Sequence, residues 1–212
     1  MEYTKMEQAD VAGIRRKPSG ERYTDKKKAK PSLLLHSCCG PCSTAVIERL
    51  APDFRITVFF YNPNITDEEE YILRRNAQIK FIDAFNRDFP FDEKIGFIEG
   101  EYDPRLFYEA AAGFEDEPEG GERCGLCFKL RLDRTALKAK ALGCDAFGTT
   151  LTVSPHKNYR LISEIGAKAS FENRVAFLDM DFKKKAGFQR SVELSKKFDI
   201  YRQRFCGCQF SK

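Results

Sequence analysis

Seven of the eight cysteines in this 212-residue chain fall into three tight groups, Cys38-Cys39-x-x-Cys42, Cys124-x-x-Cys127 and Cys206-x-Cys208. In a reducing compartment such clusters mean metal or redox chemistry more often than structural disulfides. Cys38-Cys39-Gly40-Pro41-Cys42 reads as a turn from a strand into a helix, whose N-terminal dipole favours thiolates. Cys39-Gly40-Pro41-Cys42 also matches the redox pair of thioredoxin-like proteins. Against that rival, Ser37-Cys38 replace the customary Trp, and the other two groups would go unused.

Cys124-Gly125-Leu126-Cys127 opens a predicted helix, which sets two thiols about one turn apart and aims them at one site. A zinc site made of Cys39, Cys42, Cys124 and Cys127 is the structural alternative. It spans 81 intervening residues and leaves Cys38 without a role. Adjacent cysteines leave the backbone in different directions, which suits a cluster of separate irons better than one tetrahedral ion. A four-iron cluster on Cys38, Cys39, Cys124 and Cys127 fits this pattern. Cys42 is then left for a second metal or for packing. A disulfide across Cys206-Gly207-Cys208 would be strained and therefore oxidising, as electron relays are. The alternatives are a frayed tail or two extra metal ligands. Cys144, after Gly143, reads as a buried inert thiol.

These groups need elements to position them. Leu33-Leu34-Leu35 within Ser32–Ser37 reads as a buried central strand, followed by a helix over Ser43–Leu50. A second strand is expected at Arg55–Tyr61, then a helix over Thr66–Phe85 opened by a Thr66/Glu69 capping box. Gly96–Gly100, Ala146–Val153 and Arg174–Met180 read as further strands. Cys124–Leu142, Lys157–Ala167 and Phe188–Phe198 read as helices, with Gly143 as a stop and Ser154 as a cap. This β-α-β-α order predicts an α/β fold with a parallel sheet between helices and ligands at the carboxyl ends of the strands. There the loops Asn62-Pro63-Asn64 and Thr149–Asn158, with Lys157, could hold a polar substrate, while His156 receives no role.

Residues 1–31 carry nine basic and five acidic residues and read as a mobile basic arm before a single domain at 32–212. No apolar run approaches the length of a membrane helix, and residues 1–31 lack a signal-like core, so a cytoplasmic location is expected. Residues 182–212 hold nine basic residues against two acidic, whereas 114–122 hold five acidic and none basic. A basic end of this kind is a footprint of a polyanion, or a solvated face.

Five segments in this order resemble the epoxyqueuosine reductase family of the QueH type. They are Leu33–Cys42, Tyr61–Ile65, Arg123–Phe128, Thr152–Lys157 and Tyr201–Cys208, and the resemblance covers about residues 32–211. It implies a nucleotide-hydrolase-like (HUP, Rossmann-like) α/β fold. The implied enzyme is corrinoid-independent and reduces epoxyqueuosine to queuosine at the wobble position of tRNA anticodons. It further implies a 4Fe-4S cluster on Cys38, Cys39, Cys124 and Cys127, and a redox-active disulfide between Cys206 and Cys208. A mononuclear iron beside the cluster, with Cys42 as a ligand, and an external electron donor belong to the same expectation. Lys183, Lys184, Lys185, Arg190, Arg202 and Arg204 are then the candidates to track tRNA phosphates.

Overall fold

The computed structural model of the protein describes residues 29–89 and 93–211; the expected arm falls almost wholly on residues outside these. Five strands form one sheet: β1 (Ser32–His36), β2 (Arg55–Phe60), β3 (Gly96–Glu99), β4 (Ala146–Thr149) and β5 (Ala176–Phe177). Their order is β3-β2-β1-β4-β5 and every pairing is parallel. The chain therefore winds outward from β1 in one direction and then returns to β4 on its other side. A crevice opens at such a reversal, at the carboxyl ends of β1 and β4.

Period-two alternation divides the core. Leu33 and Leu35 point to one face, where they pack with Ala45, Val46, Ala77, Phe81, Leu194 and Phe198. These come from α1 (Gly40–Leu50), α2 (Glu68–Asp88) and α6 (Gly187–Lys197). Leu34 points to the other face, with Phe59, Phe147, Ala136, Ala139 and Ala169. That layer is supplied by α4 (Glu122–Ala141) and α5 (Tyr159–Asn173), while a short α3 (Arg105–Ala111) leans on α4. The α/β reading and its parallel sheet hold.

Several boundaries differ from expectation for identifiable reasons. Helix α2 is capped by Asp67, whose carboxylate accepts from the Glu70 backbone N–H at 3.1 Å, in place of the Thr66/Glu69 box. Helix α5 is capped by Asn158, not Ser154, and runs to Asn173 before Arg174 turns left-handed at φ 57°. That turn leaves only Ala176–Phe177 to pair with β4, as an edge strand. Strand β4 stops at Thr149, because residues 151–153 coil into a 3₁₀ turn at the rim of the crevice. Helix α3 lacks a strong periodic signal and was not expected.

Candidate active site

The turn after β1 delivers the first cysteines. Cys39 is the N-cap of α1, in extended conformation at φ −170° and ψ 154°, and Pro41 lies in the first helical turn, where its missing N–H costs nothing. The sulfurs of Cys38, Cys39 and Cys42 all lie within 4.8 Å of one another, and those of Cys38 and Cys39 are 3.9 Å apart. Adjacency therefore does not splay this pair, since the chain bends as it leaves the strand. Hydrogen bonding with the Cys39 and Cys42 side chains holds the Cys38 thiol well below its usual range. The same bond to Cys38 pushes Cys42 up to about 12.

Helix α4 brings the second group. Cys124 packs into the same cluster as Cys38, Cys39 and Cys42, with Phe128, Leu132 and Ile162, and its sulfur accepts from the Gly120 backbone N–H at 3.2 Å. Cys127, one turn on, is buried beside Cys208, Phe107 and Ala111. Burial pushes its thiol up to about 12. Cys124 and Cys127 are not within the mutual 4.8 Å of the trio. The four cysteines expected as cluster ligands thus line one region without touching as a set, while Cys42 sits closest to Cys38 and Cys39.

The third group arrives on the C-terminal segment, which crosses the carboxyl ends of the strands. The Gln203 side-chain amide donates to Cys39 Sγ at 2.9 Å. Cys206 and Cys208 are unlinked thiols, the first half-buried and the second buried. Phe205 lies under the Arg74 guanidinium at 5.2 Å and Phe210 under that of Arg123 at 5.0 Å, so aromatic anchors do seat the segment. Arg123 also donates to the carbonyls of Phe114 and Glu115, which ties the acidic loop to the start of α4. Cys144 is only half-buried and stands apart from this region.

Two cations complete the site. Arg131, 1% exposed, donates to the Cys127 carbonyl at 3.1 Å and leaves Nη2 without a partner. Burial works against its charge, but the sulfurs of Cys127, Cys38 and Cys206 favour it. Lys157 is likewise opposed by burial and held charged by Cys38, Cys206 and Cys42. Among the described residues, no carboxylate joins the sulfur cluster. A buried positive charge without an anionic partner is expensive, so this arrangement calls for negative charge on sulfur. An all-sulfur, electron-rich donor set facing cations suits a thiolate-bound iron-sulfur group, and the residues present fit it.

Sequence reasoning passed over Arg131 and His36. His36, fully buried on β1, donates from Nε2 to the Tyr61 carbonyl at 3.2 Å and accepts at Nδ1 from the Thr149 hydroxyl at 3.0 Å. Burial, aided by Arg131, lowers its pKa to about 3, so it is a neutral clamp joining the ends of β1, β2 and β4. A histidine ending a strand, with one residue between it and the Cys38-Cys39 pair, was its one signal. Asn62, Gln78 and Thr150 each keep one buried polar atom unpartnered, and Asn64 keeps two; Asn62, Asn64 and Thr150 lie in the two polar loops that follow β2 and β4.

The family model described as epoxyqueuosine reductase QueH matches residues 33–212. The chain is 42% identical over 187 residues to epoxyqueuosine reductase QueH of Streptococcus pyogenes serotype M1, covering 88% of this chain and 72% of that protein. With the Staphylococcus epidermidis protein of the same name it shares 42% over 184 residues, 86% of this chain and 76% of the other. With that of Acinetobacter baylyi it shares 39% over 181 residues, 84% and 79% of the two chains. The family-model match spans every cysteine group in the site, and the chain belongs to the QueH family of epoxyqueuosine reductases.

Proposed function

We propose that this protein is a corrinoid-independent oxidoreductase that reduces epoxyqueuosine to queuosine at the wobble position of a tRNA anticodon. The observation that supports it best is the meeting of three cysteine groups with Arg131 and Lys157 at the carboxyl ends of the strands. Family membership favours this reading over the thioredoxin-like and zinc-module alternatives. In the overall reaction the two C–O bonds of the epoxide break, a carbon-carbon double bond forms and the oxygen leaves as water. Two electrons and two protons are consumed.

In this reading Cys38, Cys39, Cys124 and Cys127 hold a 4Fe-4S cluster, and Cys42 contributes to a mononuclear iron beside it. Bound there, the cluster supplies one-electron transfer and the single iron a Lewis acid for the oxygen. Arg131 and Lys157 stabilise the charge on the sulfurs, and His36 stays uncharged while fixing the strand ends. Cys206 and Cys208 supply the reducing equivalents: two thiols become a disulfide with release of two electrons and two protons. An external donor then restores them. Lys184, Lys185 and Arg204 are the exposed cations best placed to meet tRNA phosphates. Arg190 is engaged with Glu48 at 2.7 Å and with Glu193 at 2.8 Å, and Arg202 bonds the Ser195 hydroxyl at 3.3 Å. No helix among the described residues is long and apolar enough to cross a membrane, and we place the reaction in the cytoplasm.

The test is anaerobic incubation of the iron-loaded protein with tRNA containing epoxyqueuosine and a low-potential reductant, followed by nucleoside mass spectrometry. Queuosine is the expected product; its absence sinks the reading. Cys124→Ser should lose the iron absorbance. Cys206→Ser should keep that absorbance and stop after a first turnover; loss of iron in that variant would make Cys206 a ligand instead.

A further inference from the structure

Arg74 is 1% exposed and lies on α2, remote in sequence from every cysteine group. Its guanidinium spans two successive carbonyls of the C-terminal segment, donating from Nη1 to Cys206 at 2.9 Å and from Nη2 to Phe205 at 3.1 Å. Its Nε donates to Glu70 Oε1 at 2.7 Å, one helical turn back, and the other carboxylate oxygen of Glu70 accepts from the Tyr201 hydroxyl at 2.6 Å. The face of the guanidinium covers the Phe205 ring. Each of the three nitrogens of one buried cation therefore donates to the segment or to the carboxylate that orients it.

The backbone between the two thiols is held from both sides. The Gly207 carbonyl accepts from the Thr66 N–H at 3.2 Å. Gly207 has φ +109°, and a Cβ there would meet Arg74 Nη1 at 3.0 Å and Ile65 Cγ1 at 3.1 Å. Arg74 thus presses against the one residue that separates Cys206 from Cys208. A planar fork can bridge adjacent carbonyls while its Nε reaches a carboxylate; a single ammonium cannot.

We infer that Arg74, oriented by Glu70, is a positioning residue that fixes Cys206-Gly207-Cys208 over the cysteine centre, and so sets the rate at which that pair delivers electrons. The inference rests on the reading of Cys206 and Cys208 as the redox pair. Neither Arg74 nor Glu70 touches a thiol, and both act through the backbone they hold. Left unclamped, the segment swings and Cys208 leaves its packing against Cys127 and Phe107.

The test uses reduced, iron-loaded enzyme carrying Glu70→Gln together with Arg74→Met, so that no buried carboxylate is left unpaired. Alkylation of Cys208 by iodoacetamide, followed by peptide mass spectrometry, is expected to run at least about tenfold faster than in the native enzyme, the population change that one charge-assisted hydrogen bond commands. The iron absorbance should be unchanged. Turnover number should fall by a similar factor with KM for tRNA unchanged, a split that general loosening would not produce. Arg74→Lys should behave like the double variant. Native protection of Cys208 in either variant overturns the inference. If the double variant fails to fold, Tyr201→Phe removes only the outermost hydroxyl, and unchanged alkylation there overturns it equally. Undiminished multiple turnover in Cys206→Ser, with the alkylation result intact, would instead overturn the redox-pair reading.

Discussion

Gly40 stands between Cys39 and Cys42 where α1 runs against α2. A Cβ added to it would lie 2.8 Å from the Ala77 carbonyl oxygen, 2.9 Å from the Ala77 carbonyl carbon and 3.1 Å from the Gln78 nitrogen. All three are backbone atoms of a helix, which no side-chain rotation can move. Favourable non-bonded contacts lie at about 3.5–4.0 Å, so Gly40→Ala must part the two helices by roughly half an ångström or more. Overpacking of this kind costs about 1–3 kcal/mol. The better helix propensity of Ala offsets at most about 1 kcal/mol, and less at a first helical position. A net loss of about 1–2 kcal/mol lowers the melting temperature by roughly 2–8 °C for a chain of this size. The displaced helix also carries Cys42 and its cap Cys39, so the iron-to-protein ratio should fall with it. Circular-dichroism melting and iron analysis on Gly40→Ala and native protein decide the matter. A variant that melts at or above the native temperature with full iron would show that propensity outweighs the contact, and would refute the reasoning.

Arg131→Met removes a buried charge facing Cys38, Cys127 and Cys206. A unit charge at about 6 Å under an effective dielectric of about 20 is worth ~3 kcal/mol, so a redox titration of the loaded protein should find its midpoint lower by on the order of 100 mV. An unchanged or higher midpoint would show that Arg131 does not act on the electron-accepting centre. Asp145 accepts from the Ser32 hydroxyl and from the Ser32 N–H, each at 2.7 Å, and these bonds hold its pKa below the ordinary value of 3.8. A depressed carboxylate contributes stability above the unfolded value, which is lost as pH falls through the folded one. Asp145→Asn should therefore melt lower at pH 7, with the gap closing as pH drops below about 4, the ordinary carboxylate range. A gap that is constant with pH would exclude the linkage.

Much of this protein is legible in its sequence because the signals are local. The Leu33-Leu34-Leu35 run, the helical spacing after Cys124 and the β-α alternation each depend on near neighbours, and together they specify a parallel sheet with cysteines at its carboxyl edge. The three cysteine groups also point to metal or redox chemistry, and the five matching segments to the family. Folding alone decided which sulfurs meet. Cys38, Cys39 and Cys42 close into one trio because the chain bends at Cys38 on leaving β1, whereas adjacency suggested divergence. The roles of Arg131, Arg74 and His36 were likewise hidden. In the sequence they are a helix arginine, another helix arginine and a strand histidine, and a cation's effect depends on what lies across the crevice from it. Burial converts Arg131 from an ordinary helix residue into a charge that the sulfurs must balance, and the fold brings the half-buried Lys157 within the influence of the same sulfurs. Local patterning determines elements and donor types; only the tertiary fold sets distances between groups far apart in sequence, and on those distances the electrostatics of the site depend.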